Sequence, residues 1–218
     1  MKTLAIALGM LIFAVTGFAQ ENATTQNDGI NSVFGNNKKV KLGWMVGASS
    51  AYTQFDGKDV WMAGLSAGLI INHNFTIGLT GRSWCNRDEV YFPNAKDTTG
   101  AYLEGGYGGL LLEYTLFPRS VVHVTFPVMI GAGGLTYTSS YQYTEWDENE
   151  WNTHYKNLGS DAFFIVEPGI QAEVTIFKFM RLDAGIGYRY TAGLDLINTP
   201  SDLLDNFTAA VGLKFGKF

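Results

Sequence analysis

Phe207-Thr208-Ala209-Ala210-Val211-Gly212-Leu213-Lys214-Phe215 alternates apolar residues with small or polar ones. Strict alternation gives a strand one greasy face and one that is not. Placed at the end of the sequence, such a strand makes sense if it closes a barrel whose greasy face meets lipid. The same alternation recurs upstream, and strands are expected at 40–53, 58–72, 75–86, 101–116, 121–138, 161–176, 179–193 and 205–217. That makes eight, an even number, as a membrane-spanning up-and-down barrel requires.

The front of the chain reads as an export signal. Met1-Lys2 gives a short charged start, and Leu4 to Val15 is an apolar run broken only by Gly9. Thr16-Gly17-Phe18-Ala19 supplies small residues at the cleavage positions, so 1–19 is expected to be a signal peptide cut after Ala19. A membrane-spanning helix needs about 20 apolar residues, more than this run offers. Residues 20–39 are rich in Asn, Thr and Gln and read as a disordered periplasmic leader. From 40 to 218 the chain reads as one barrel domain.

Composition narrows the class. Hydrophobic residues make up 46%, glycine 26 of 218 and proline only 5, which suits many strands with glycine lining a crowded interior. The single Cys85 forbids an intramolecular disulfide, and position 20 is Gln rather than a lipid-anchor cysteine. The net charge of −5, or −6 once Lys2 leaves with the signal, argues against a nucleic-acid partner. No cofactor motif is present.

Connections alternate in length. Asn72-His73-Asn74, Phe117-Pro118-Arg119-Ser120 and Phe177-Lys178 read as tight turns, 87–100, 139–160 and 194–204 as long loops, and 54–59 as intermediate. Short periplasmic turns and longer extracellular loops are the pattern of a bacterial outer-membrane barrel. Parity then assigns faces. Trp61, Leu65 and Leu69 oppose Met62, Gly64 and Ser66; Val166, Ile170 and Val174 oppose Glu167, Gln171 and Glu173. Charge on the side that does not meet lipid is how a closed barrel disposes of groups it cannot show to hydrocarbon. Trp44, Phe75, Tyr114 and Phe215 mark one aromatic belt, and Tyr52, Trp61, Phe164, Tyr188 and Phe207 the other. In the fourth strand Glu104 and Glu113 have opposite parity, and a bulge at Gly105-Gly106 or Gly108-Gly109 is expected to reconcile them.

On these grounds (signal, eight alternating strands from Val40 to Lys217, terminal Phe218) the chain resembles the small eight-stranded outer-membrane β-barrels, the OmpX-like proteins and the OmpA transmembrane domain. The resemblance implies an all-β, antiparallel transmembrane barrel in the bacterial outer membrane. It also implies outer-membrane lipid and the barrel-assembly machinery as partners, the latter through the C-terminal strand and its aromatic. The alternation 207–215 is out of step with Phe218 by one. Either Phe215 serves as that aromatic ahead of a short tail, or a terminal bulge shifts the register.

Two groups of residues invite a functional reading. Arg82, Glu113, Glu167, Glu173, Arg181, Asp183, Arg189 and Lys214 have inward parity and form a lumen charge network. A selective pore is one reading. A structural network in a lumen just wide enough for side chains is the preferred one, with no open pore. The second group is the loop aromatics Tyr141, Tyr143, Trp146, Trp151 and Tyr155, interleaved with Glu145, Asp147, Glu148 and Glu150. They suit contact with an extracellular glycan or protein, or a cation; a plain hairpin with cross-strand aromatic pairs is the alternative. Barrel enzymes that act on membrane lipid need a histidine with an orienting acid and a nucleophile. His73, His123 and His154 lack such company in sequence, so no enzyme is expected and no catalytic, cofactor or metal residue is assigned. The expected role is structural or surface-interactive, with a small-solute channel and a rim enzyme as rivals.

Overall fold

In a computed structural model, which describes residues 40–86, 101–144 and 151–218 except 197 and 198, eight strands close into one antiparallel barrel. They are β1 (Leu42–Phe55), β2 (Lys58–Ile71), β3 (Phe75–Asn86), β4 (Ala101–Leu116), β5 (Val122–Thr144), β6 (Trp151–Phe177), β7 (Met180–Ala192) and β8 (Asn206–Lys217). Each strand pairs with its neighbours in sequence, and β1 pairs with β8 to close the ring. Residues 1–39, 87–100 and 145–150 lie outside the described residues, so the expected signal peptide, leader and first long loop do too.

The end where β1 starts and β8 finishes is the base, and the opposite end the mouth. At the base the three turns are tight. Asn72, His73 and Phe117 take positive φ there, which lets the chain reverse within a few residues. At the mouth, β1 and β2 are joined by Asp56-Gly57 alone, both at positive φ. That is a two-residue hairpin turn rather than the intermediate loop expected over 54–59, and Asp-Gly is the sequence signal for it.

Two expectations change here, and one open alternative is decided. β5 and β6 do not stop at 138 and 161; they continue as a paired ladder up to Thr144↔Trp151. Much of the long loop expected over 139–160 is therefore strand. A bulge at Tyr137/Thr138 marks where this hairpin departs from the regular ladder. β4 carries no bulge, since its ladders with β3 and β5 run without a shift. Glu104 simply faces outward opposite Cys85, toward the mouth, while Glu113 faces in. β8 likewise runs unshifted against β1 and β7, so there is no terminal bulge: Phe215 is the outward aromatic, and Phe218 turns inward.

Face assignment follows strand parity throughout. Trp61, Leu65, Leu79, Phe164, Ile186 and Phe207 are exposed on the outside, Leu65 at 73%. Among the described residues, the outward positions of the strands carry charge only at the two ends, Asp59 and Glu104 toward the mouth and Lys217 at the base. Trp44 and Tyr52 are eight positions apart on β1. At ~3.4 Å per residue and a tilt of ~40° that is about 21 Å along the axis, close to the ~25 Å apolar band of such barrels.

Candidate functional site

Inward parity brings all eight residues of the charge set into the lumen, though not as one uniform network. Near the base, Lys214 Nζ donates to Glu113 Oε2 at 2.7 Å and lies 3.1 Å from Glu173 Oε1. Arg181 donates to Glu173 Oε2 at 2.9 Å. The Arg181 guanidinium also covers the Phe218 ring at 3.9 Å. That ring packs on Met45, Ile70 and Leu111, so an aromatic plug floors the barrel. His123, fully buried beside this floor, is held by the Pro118 carbonyl at 3.1 Å.

Midway up, Arg82 pairs with Glu167, and the Tyr107 hydroxyl donates to the same carboxylate at 2.8 Å. Asp183 is buried against Gly212, where a side chain would have stood 2.9 Å from its carboxylate oxygens. Between these layers lies a cavity of about 70 Å³, lined by Ser49, Ser66, Thr80, Gln171 and the charged groups. It has room for a few waters, which suits a polar lining.

Above it the chemistry changes. Phe55, Trp84, Leu103, Leu135, Phe163 and Ile165 point into the mouth half and pack as one apolar cluster, with Phe55 and Trp84 edge to face at 5.2 Å. The segment after β7 folds over this cluster and inserts Leu194, Leu196, Leu203 and Leu204, the last with no exposure. The sequence predicts a loop over 194–204, but not that its leucines stopper the barrel. Arg189, also with no exposure, is the pin. Its Nε donates to the Leu204 carbonyl at 2.6 Å and its Nη2 to Thr53 Oγ1 at 3.1 Å, while its guanidinium lies 4.9 Å from the Phe55 ring centre. Asp205 caps the same segment by accepting from the Thr191 amide and hydroxyl. Tyr137 and Thr199 tie the loop's other arm to β5.

The loop aromatics separate. Trp146 lies outside the described residues. Tyr141 and Tyr143 take register positions opposite His154 and Asn152, and Tyr155 and Trp151 opposite Ser140 and Thr144. No two of these four aromatics stand directly across from one another in the register. β6 continues from Phe163 back to Trp151 beyond its pairing with β7, and β5 from Ser140 to Thr144 beyond its pairing with β4. The hairpin thus rises above the neighbouring strands. On the opposite side of the mouth, beyond the aromatic belt, Asp59 accepts from the Tyr52 hydroxyl at 2.6 Å and the Gln54 amide at 2.8 Å, which holds its carboxyl below the usual range. Cys85 is exposed and donates to Glu104 at 3.3 Å.

Solved structures similar to this chain include bacterial outer-membrane proteins. They include neisserial surface protein A (14% identity, TM-score 0.49, covering 83% of this chain and 100% of that one). Ail, the attachment invasion locus protein of Yersinia pestis, matches at 12% identity and TM-score 0.46 over 80% of this chain and 97% of its own. A major outer membrane protein of Thermus thermophilus matches at 12% identity and TM-score 0.45, over 81% and 99%. No family model matches the chain, and no curated protein sequence does.

Proposed function

We propose that this chain is a bacterial outer-membrane barrel, exported by its N-terminal signal, with a closed lumen and a surface-interaction role carried by the β5–β6 hairpin. One observation carries the location: a closed ladder with every strand-interior charge turned inward and an uncharged apolar band turned outward. In water that arrangement would leave a continuous hydrophobic surface exposed, whereas in a bilayer it satisfies both faces. With the tight turns at the base, the base faces the periplasm and the mouth faces outward.

Two stoppers favour a closed lumen over a channel: the four leucines at the mouth and Phe218 under Arg181 at the base. The remaining cavity is far smaller than a through-pore. A rim enzyme gains no support from His123, which is spent on a backbone carbonyl, or from His73 in a base turn. Among the described residues, the hairpin is then the part that reaches furthest from the membrane.

Planar-bilayer recording of the purified protein tests closure: no stable openings are expected, and steady conductance altered by Arg82→Gln would refute it. Removal of residues 141–155 tests the hairpin. Binding to cells, extracellular glycans or proteins should fall while the barrel still folds; unchanged binding sinks the assignment.

A further inference from the structure

The base of the barrel carries a basic residue at every strand connection and no acid. Lys41 and Lys217 stand where β1 and β8 meet, His73 lies in the β2–β3 turn, Arg119 in the β4–β5 turn and Lys178 in the β6–β7 turn. Lys41, Arg119, Lys178 and Lys217 are all exposed, and none has an ion-pair partner among the described residues. The mouth-side connections are the reverse. Over 56–57, 87–100, 145–150 and 193–205 acids dominate, and Arg87 and Lys96 are the only cations.

These basal cations are set among exposed apolar groups. Phe177 and Phe179 bracket Lys178 and stack at 5.6 Å and 9°. Phe117 and Val121, each 67% exposed, bracket Pro118-Arg119. Val40 and Leu42 flank Lys41, and Lys217 pairs with Trp44. A free small anion would gain nothing from phenyl rings beside the charge. An anion carried on hydrocarbon gains from both, because the rings enter the acyl boundary while the long side chains reach back to the headgroup.

We propose that this ring is a collar for anionic phospholipid headgroups, a phosphodiester with no compensating ammonium, in the periplasmic leaflet. The assignment rests on the membrane reading above. Each surface cation near an anionic leaflet contributes roughly a fivefold preference. The acidic mouth supplies no matching ring, so the preference belongs to one leaflet and fixes which way up the barrel sits best.

The test uses the full mature chain refolded into vesicles of phosphatidylglycerol and phosphatidylcholine in equal amounts with identical acyl chains, then extracted gently into detergent. Lipid that stays bound is counted by native mass spectrometry. The retained ratio of phosphatidylglycerol to phosphatidylcholine should exceed the bulk ratio several-fold, and this enrichment should shrink as salt rises, since exposed charges are screened. The combined Lys41→Gln, Arg119→Gln, Lys178→Gln and Lys217→Gln variant should return retention to the bulk ratio; Lys58→Gln with Lys156→Gln at the mouth should not. Should the fourfold variant fail to fold, Lys178→Gln alone should lower the enrichment measurably. Retention of the two lipids at the bulk ratio by the native chain, no salt dependence, or full enrichment in the Lys178→Gln or fourfold variant would overturn the collar. Displacement by millimolar glycerol phosphate would also overturn it, by making a soluble anion the ligand. Heat-dependent gel mobility of the same sample separates the two ideas: a shift without enrichment removes the collar alone, and no shift in the native chain removes the membrane reading as well.

Discussion

In the mouth half of the lumen Phe55, Leu103, Leu135 and Phe163 pack with a leucine loop around a single guanidinium. In the base half Glu113, Glu173, Asp183, Arg181 and Lys214 form a charged layer above a small apolar floor of Phe218, Met45, Ile70 and Leu111. Both halves are lined by the same strands with the same alternation. The difference shows that a membrane barrel's inner face is free to be either dry or charged, because only its outer face is dictated by the solvent. What each half must do is fill space while leaving few polar groups alone. The mouth does it by apolar interdigitation, with Trp84 Nε1 left unpartnered, and the base by matched charge, with His123 Nδ1 and Arg181 Nε left unpartnered.

The largest effect should come from unbalancing the charged half. Glu173→Ala leaves Arg181 and Lys214 without their shared carboxylate and should cost about 3–5 kcal/mol in urea unfolding from vesicles. Replacing Glu113 by Leu together with Lys214 by Met should cost less than that single change, because the pair leaves as a neutral unit and Glu173 keeps Arg181. If the double variant proves the worse of the two, the base is not a balanced network.

In the dry half, Leu204→Ala should cost about 2–4 kcal/mol, as for other fully buried leucines. The same variant should still show no stable openings in bilayer recordings, since the stopper at the base is untouched. A smaller penalty, about 1–3 kcal/mol, is expected for Gly105→Ala. Its Cβ would fall 2.5 Å from the Trp84 ring and 2.8 Å from the Gly134 carbonyl, so the tight apolar half has no slack there. Asp59→Asn, outside both halves, should change stability least. Because the folded carboxyl is held low by Tyr52 and then Gln54, its contribution is present above the ordinary carboxylate range and fades as pH falls through the lowered value. The variant should therefore show a slightly flatter acid limb in urea midpoint against pH.

Much of this was readable in the sequence because a two-residue period survives tertiary context: lipid dictates one face, and every strand obeys. The eight inward charges and both aromatic belts follow from that alone. What was hidden lay where the period says nothing. The ladder beyond Tyr137 was obscured by its polar composition, which reads as loop although backbone pairing needs no apolar face. Glu104 suggested a bulge only because its height on the strand, near the mouth, is not encoded in parity. Met62, Val60, Phe163 and Ile165 had inward parity in plain view, yet parity alone does not say that inward residues cluster with one another. The leucines of 194–204 carried no periodic signal, and their docking depends on Arg189 reaching a backbone carbonyl fifteen positions away.

The most direct test of the account is gel mobility of the cellular outer-membrane fraction, boiled against unboiled. The account predicts a faster unboiled band that shifts on heating, the mark of a closed barrel held in lipid or detergent. A single mobility, with the protein recovered in the soluble periplasmic fraction, would contradict it.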